Sequence, residues 1–261
     1  MRRVTPKVFL LGETQINEAG LADYLKEIGA LGWTTDTKSG SEKLTEVMGR
    51  VCYRAFGAGL NANISKVREG NQKYLGNIAS SKHGSVMEHA VVNFVFHNVS
   101  RVFTHELVRH RAGTAMSQES LRYVRLTDLG LFLPSCVAND PVMVELFEKT
   151  FKDLEQLQLE MAKAFKLDEP GTDFTYKKTM TSTMRRIAPI GLATSIGFSM
   201  NHRALRHILA MRTSRHAEEE IRLVFEEVGR ICKSRWPNIY QDFTVLSVEG
   251  IDEYSPKNPK I

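Results

Sequence analysis

Leu192-Ala193-Thr194-Ser195-Ile196-Gly197-Phe198-Ser199-Met200 reads as a β-strand, and Asn201 directly after it reads as the cap of a helix. Leu192, Thr194, Ile196, Phe198 and Met200 fall on one face at the two-residue period of a strand. Ala193, Ser195, Gly197 and Ser199 leave the other face nearly bare. Such a face admits close approach by another element, the commoner case, or by a flat ligand. After Asn201 the period changes to that of a helix carrying Leu205, Ile208 and Leu209. Arg203 and His207 lie one turn apart on it, with Met211 following at the same spacing. The same grammar occurs upstream. Val91 to Val99 alternates, with Val92, Phe94 and Phe96 on one face, and Ser100 is placed to cap a helix carrying Phe103, Leu107 and His110.

Around these junctions the pattern is mixed. Thr35 to Ser41 reads as a loop, and a helix is expected from Glu42 through Leu44, Val47, Met48 and Val51. The Gly-x-Gly within Gly57-Ala58-Gly59-Leu60-Asn61 lacks a third glycine and a preceding strand, so it carries no weight as a dinucleotide loop. Val144, Phe147, Phe151, Leu154, Leu157 and Met161 mark a long amphipathic helix used for packing. Ser214 and Glu218-Glu219-Glu220 open a further helix, packed through Ile221, Val224, Phe225, Val228 and Ile231 and closed by Trp236-Pro237. The tail from Ser255 to Ile261 is expected to be loose. No repeat or low-complexity linker interrupts residues 1–261, so one domain is expected. Strands and helices mix irregularly, which points to an α+β fold, a central sheet with long flanking helices, more than to a regular βαβ array.

Composition narrows the class of protein. With 261 residues, 42% hydrophobic and 25% charged, the chain is an ordinary soluble globular type with a sizeable core. A net charge of +5 favours anionic partners without choosing between nucleic acid and a nucleotide. No apolar run approaches a membrane span, and Met1 to Pro6 lacks the apolar stretch of a signal peptide. Cys52, Cys136 and Cys232 are odd in number and widely spaced, which suits reduced thiols in a cytoplasmic protein.

The densest chemistry is Arg109-His110-Arg111, followed by Ser120 and Arg122-Tyr123. Three arginines, a histidine and several hydroxyl and amide side chains within 15 residues suit a ligand with phosphate groups and a planar, hydrogen-bonding ring. Taken by itself the triplet is also explained as cations at the C-terminal end of a helix. A metal centre is not indicated. Ser85-Val86-Met87-Glu88-His89 approaches a zincin spacing, but serine stands where the first ligand should be, and there is no His-Glu-x-x-His. Cys136 has no neighbouring histidine to activate it. Neither a Gly-x-Ser-x-Gly elbow nor a Walker loop occurs. What remains binds and orients, so a cofactor must supply the reactivity.

The order His83-x-Ser85-x-x-Glu88-His89, Arg109-His110-Arg111, Ser120-x-Arg122-Tyr123, Arg185-x-x-x-Pro189, Asn201-x-Arg203, His207, Arg212 and His216 resembles that of the flavin-dependent thymidylate synthases. The resemblance covers roughly residues 45–235. It implies a homotetramer with the fold of the thymidylate synthase complementing proteins and FAD held at subunit interfaces. It also implies methylation of dUMP to dTMP with methylenetetrahydrofolate as carbon donor and NADPH as reductant. By position, Ser85, Arg109, His110, Arg111, Asn201, His202, Arg203 and His207 match FAD contacts. Ser120, Leu121, Arg122, Arg185 and Arg212 match the dUMP site, and Gln118 and Glu119 fall where the family touches nucleotide or flavin. Arg122 and Arg185 would clamp a phosphate, and Arg212 would stabilise charge developing on the uracil ring. His83 matches a histidine near flavin and pyrimidine, suited to folate binding or proton movement.

Two departures stand out. The interval Ala112 to Glu119 is one residue longer than the family usually has, and Glu106 stands where glutamine is common near the nucleotide. A carboxylate beside an anionic ligand repels it unless protonated or paired, for which Arg109 is available three residues on. Two alternatives follow: flavin-dependent C5 modification of another pyrimidine nucleotide such as UMP, or a basic nucleic-acid-binding protein. Against the second, Phe94, Phe96 and Phe103 sit on apolar faces instead of interleaving with the basic residues.

Overall fold

Both strand-to-helix junctions form, each through the side chain expected to cap it. The protein is seen as a computed structural model that describes residues 1–57, 59, 61–64 and 67–259. The chain opens with strands β1 (Arg2–Arg3) and β2 (Lys7–Glu13), then helices α1 (Glu18–Glu27), α2 (Gly40–Tyr53) and α3 (Asn71–Ser80). A 3-10 turn at Gly84–Glu88 leads into β3 (Val91–Ser100), α4 (Arg101–Leu107), β4 (Thr114–Gln118) and β5 (Gly130–Leu131). Next come α5 (Ser135–Ala138), α6 (Pro141–Ala164), α7 (Phe174–Met184) and a second 3-10 turn at Arg185–Ile187. The chain closes with β6 (Ala193–Asn201), α8 (His202–Arg212), α9 (Glu219–Arg235), β7 (Phe243–Val248) and β8 (Ile251–Pro256). This is the α+β mixture expected. No helix among the described residues is long and apolar enough to cross a membrane.

One sheet has the order β2-β3-β6-β4, β1 pairs in parallel with β5, and β7 and β8 form an antiparallel pair. The chain divides into two compact units. The first comprises Met1–Phe9, Val95–Arg109 and Met116–Phe198; the second comprises Leu10–Phe94, His110–Ala115 and Ser199–Ile261. The boundary passes through each strand of the four-stranded sheet, and in sequence it falls inside the Arg-His-Arg triplet.

In β6, Thr194, Ile196, Phe198 and Met200 are buried while the small residues between them are half-buried, as the alternation requires. Asn201 Oδ1 accepts the Ala204 N–H at 2.8 Å, and Ser100 Oγ accepts that of Phe103 at 3.1 Å. Each satisfies a backbone donor that the first helical turn leaves without an intrahelical partner. α4 stops at Leu107, so His110 is not carried on it and the triplet lies just beyond the helix. The chain turns through Gly113, at φ +69°, into β4, a strand the residue pattern did not announce.

The first unit has a core of Leu121, Leu126, Leu129, Leu131, Phe151 and Leu192, against which Phe147 and Leu154 of α6 pack. The stripe on α6 is less regular than its spacing implies. Leu157 is 41% exposed, whereas Gln158 is buried and donates to the Met184 carbonyl at 3.0 Å. A buried amide with a partner replaces an apolar contact there.

In the second unit α8 packs on α9 and α9 on β8. Gly229 permits the latter approach, because a Cβ there would lie 2.5 Å from the Tyr254 ring. α2 starts at Gly40, two residues earlier than expected, because Ser39 caps it through the Glu42 N–H. α9 starts at Glu219, capped by the Glu218 carboxylate, so Ser214 does not open it. Of the tail expected to be loose, Ser255 and Pro256 are paired with Thr244 and Phe243. The expected polar stretch at Gly57 to Asn61 includes Ala58 and Leu60, which lie outside the described residues.

Two buried ion pairs brace the second unit. Arg50 holds Glu46 at 2.7 Å, and its guanidinium lies 4.4 Å from the centre of the Tyr74 ring. Arg206 grips Asp242 with two bonds of 2.8 and 2.9 Å and also donates to the Ile239 carbonyl. Burial pushes the Asp242 pKa up, but the hydrogen bonds and charge of Arg206 outweigh it and hold the carboxyl below its usual range. A depressed folded-state pKa adds stability above the unfolded value, and that stability is lost as pH falls through the folded value. Asp242→Asn should therefore lower stability by about 3 kcal/mol at neutral pH and by less on the acid side. Urea melts at pH 7 and pH 3 test this, and an equal loss at both would be inconsistent with a charge-based brace.

Candidate functional site

In the second unit, α8 and the turn after the triplet bring together His110, His207 and Arg212. Arg212 Nε donates to His110 Nε2 at 2.8 Å, and the His110 and His207 rings meet edge to face with centroids 6.1 Å apart. Accepting from a guanidinium requires Nε2 to be unprotonated, so the His110 ring proton sits on Nδ1. The Thr114 hydroxyl donates to the His110 carbonyl at 2.8 Å, and the Asn201 N–H donates to the Gly113 carbonyl at 3.0 Å. A Cβ on Gly113 would come within 2.4 Å of Asn201 Nδ2, so only glycine lets this turn rest on the α8 cap. One turn before His207, Arg203 pairs with Glu88 of the first 3-10 turn. His83 stands ahead of that turn with its Nδ1 3.3 Å from the Tyr53 hydroxyl and its ring inclined 21° to the tyrosine. Ser85 and Arg111 are exposed.

His202 behaves differently from its neighbours. It is fully buried, its Nδ1 lies 3.1 Å from the Tyr240 hydroxyl, and its ring packs edge-on to Trp236 at 4.8 Å. It therefore has no surface to offer a cofactor, and the expectation of a flavin contact there gives way to a packing role. Burial, aided by Arg206, pushes its pKa down to about 3.

The first unit holds the other set. Glu119 is tied to β6: its N–H donates to the Ser195 carbonyl at 3.0 Å, and its carboxylate accepts the Ser195 N–H at 3.2 Å. Gln118 donates to the Thr104 hydroxyl at 3.0 Å, and Ser120 Oγ accepts the Arg122 N–H at 3.3 Å. Glu106 and Arg109 sit on and just beyond α4, the first half-buried and the second exposed. Arg122 and Tyr123 are exposed, with Lys178 Nζ 5.2 Å from the tyrosine ring centre. Ala193 and Ser195 of the small-residue face, together with Leu192 and Thr194, line a cleft of about 210 Å³ in which His97 Nδ1 lies 2.9 Å from Ser195 Oγ.

A second cleft of about 400 Å³ brings Leu121 and Arg185 together with Arg101, Ser182 and Arg186. Arg122 lies outside its lining, so the cleft does not unite the two arginines expected to form a phosphate clamp. Arg101 and Arg186 were not singled out by sequence reasoning. Arg101 carried a signal nonetheless: it is the first residue of α4, where the positive end of the helix disfavours a cation. Its pKa is lowered, first by burial and then by the neighbouring Arg185, with Glu119 offsetting part of the effect. Burial also pushes the Cys232 thiol up to about 12, so it stays protonated.

Comparison with known proteins gives the family of the chain. A family model described as thymidylate synthase complementing protein matches residues 35–238. A flavin-dependent thymidylate synthase of Mycolicibacterium gilvum (strain PYR-GCK) is 33% identical over 218 residues, 83% of this chain and 84% of that protein. One from Mycobacterium marinum is 34% identical over 223 residues, again 83% and 84%. Among solved structures, the UMP/dUMP methylase PolB from Streptomyces cacaoi bound with 5-Br UMP shares the fold, with a TM-score of 0.62 at 16% identity. That alignment covers 92% of this chain and 95% of the other.

The burial of His202 has a consequence for acid stability. Its folded pKa of about 3 lies below the unfolded value near 6.5, so its neutral form supports the fold above pH 6.5. Stability is lost as pH falls from there, by up to about 1.4 kcal/mol per pH unit. His202→Gln should lower stability at pH 7 yet flatten its decline between pH 6.5 and 4. Thermal melts across that range test the expectation, and an unchanged slope would contradict a buried neutral imidazole.

Proposed function

Because the chain belongs to the thymidylate synthase complementing protein family, we propose that it is a flavin-dependent thymidylate synthase that methylates dUMP at C5 to give dTMP. The flavin is FAD, the carbon donor methylenetetrahydrofolate and the reductant NADPH. The working form is a cytoplasmic homotetramer with active sites at subunit interfaces. Family membership carries the reaction, and one geometric observation supports its location: the hydrogen bond from Arg212 to His110. It joins the residue assigned to the pyrimidine to the centre of the triplet assigned to the flavin.

The residues present fit such a cofactor. Ser85, His110, Arg111, Asn201, Arg203 and His207 all belong to the second unit, and they supply the cationic and hydrogen-bonding groups that a pyrophosphate and a flat polar ring need. The turn at Gly113 adds no side chain to the space beside Asn201. When bound, the flavin supplies the reducing equivalents that turn a transferred methylene into a methyl group. Arg212, its plane fixed by His110, stabilises negative charge as it develops on the pyrimidine, which makes C5 nucleophilic without a protein thiol. His83, oriented by Tyr53, is placed to bind folate or move a proton. Glu88 holds Arg203 in position. In the first unit, Glu106, Arg109, Gln118, Glu119, Ser120, Leu121, Arg122 and Arg185 form the nucleotide set.

The purified protein should show flavin absorption that bleaches with NADPH and recovers in air, and it should form dTMP from dUMP. Turnover of UMP with none of dUMP would overturn the substrate assignment. Arg212→Ala should lower kcat by roughly 100-fold or more while the flavin spectrum persists. Undiminished turnover would remove Arg212 from the chemistry.

A further inference from the structure

Glu119 is a carboxylate within the set assigned to an anionic nucleotide, and such a group repels an anion unless it is protonated or paired. Its N–H donates to the Ser195 carbonyl at 3.0 Å and its carboxylate accepts the Ser195 N–H at 3.2 Å. One residue of β6 thus fixes both its backbone and its side chain. Its carbonyl accepts from Arg101 Nη2 at 3.1 Å, and its charge acts on that guanidinium. Ser195 is in turn held from β3, where the His97 ring brings Nδ1 to 2.9 Å from the serine hydroxyl oxygen. His97, Ser195 and Glu119 all line the cleft of about 210 Å³ in the first unit. The other charged groups on its lining are Arg2, Arg125 and Asp128. Arg2 is bonded to Asp128 at 2.9 Å and to the Asn98 amide oxygen at 3.3 Å, and Arg125 is paired with Asp168. Arginine and aspartate keep their charges around neutral pH, whereas histidine is the side chain that changes its own between roughly pH 5 and 8.

We propose that His97, acting through Ser195, is a positioning residue for Glu119 that favours entry of the anionic nucleotide when its imidazole is charged. The inference deepens the nucleotide reading above and rests on it. A neutral ring with its hydrogen on Nε2 accepts the Ser195 hydroxyl at Nδ1, and the serine then offers the cleft only lone pairs. An imidazolium donates from both nitrogens, so Ser195 Oγ accepts and its own hydrogen turns away from the ring as a free donor. The same proton adds positive charge to the cleft that Glu119 shares and offsets the repulsion of its carboxylate. With the neutral ring's hydrogen on Nδ1 instead, protonation adds the charge alone. Either change favours an anion. His97 itself need not touch the nucleotide; it sets the direction of one hydroxyl and the field around one carboxylate.

The test is dUMP binding by calorimetry from pH 5.5 to pH 8.5, with steady-state kinetics alongside, for the full-length protein and for His97→Asn, His97→Phe, Ser195→Ala and the double variant His97→Phe with Ser195→Ala. Dividing each variant's Kd by that of the unaltered protein at the same pH cancels ionisation of the nucleotide phosphate and of the other histidines. For both His97 variants this ratio should be larger at pH 5.5 than at pH 8.5, by about 5-fold. KM for dUMP should follow Kd, with kcat at saturation little altered. Asparagine places a hydrogen-bonding atom where Nδ1 stands, so His97→Asn should bind more tightly than His97→Phe at both ends of the range. Ser195→Ala should show the same pH trend, and the double variant should lose no more than His97→Phe alone. A ratio that does not change with pH would make His97 a packing residue and overturn the proposal. Additive losses in the double variant would overturn the route through Ser195. Should His97→Phe fail to fold, His97→Asn and Ser195→Ala decide the matter through the pH trend. A protein that forms dTMP with flat ratios keeps the function and loses the inference. One that binds dUMP with the expected trend and does not methylate it keeps the inference and loses the function.

Discussion

The second unit's candidate site depends on one side chain, that of Asn201. Its Oδ1 closes the first turn of α8 while its own N–H holds the Gly113 carbonyl. The cap fixes where α8 starts and therefore where Arg203, His207 and Arg212 project along it. The bond to Gly113 ties the turn after the triplet to the same point and delivers His110 to Arg212. A few tenths of an ångström decide whether this works, because a methyl group on Gly113 would lie 2.4 Å from the Asn201 amide. The glycine requirement has two independent sources here, a positive φ and a close approach.

Much of the fold was legible because it is written in local chemistry. Alternation along Val91–Ser100 and Ala193–Asn201, followed by Ser100 and Asn201, fixes strand, junction and helix start within a dozen residues each. What could not be read depends on distant partners. β4, Thr-Ala-Met-Ser-Gln, has no apolar alternation and exists through its place beside β6. The burial of Gln158 in place of Leu157 is decided by the Met184 carbonyl. Ser255 and Pro256 join a strand because Phe243 and Thr244 come alongside. The helix opened by Glu218 instead of Ser214 is a local choice between two competent caps. There the carboxylate, accepting from two backbone donors, is favoured by the charge of the helix end.

The site shows the same division between residue identity and surroundings. Position in a motif names a residue but does not say what its side chain touches. His202 follows the capping Asn201 in the motif, yet Trp236 and Tyr240 enclose it and keep it neutral. The Glu119 carboxylate is engaged with the Ser195 N–H. Glu88 acts on Arg203, so its part in any binding is to orient that arginine.

The pairing of charge separates the arginines that brace the fold from Arg101. Arg50 and Arg206 are almost wholly buried and are matched by Glu46 and Asp242, carbonyl acceptors and an aromatic face. Such cations hold the fold and leave little for a ligand to gain. Arg101 breaks two rules together: it starts a helix, where a cation is disfavoured, and it lies half-buried beside another arginine without a carboxylate bonded to it. The Glu119 charge and carbonyl, both acting on its guanidinium, offset part of that cost within the fold. Position along a helix and proximity of like charge are thus set against each other by the residues that the fold brings beside them.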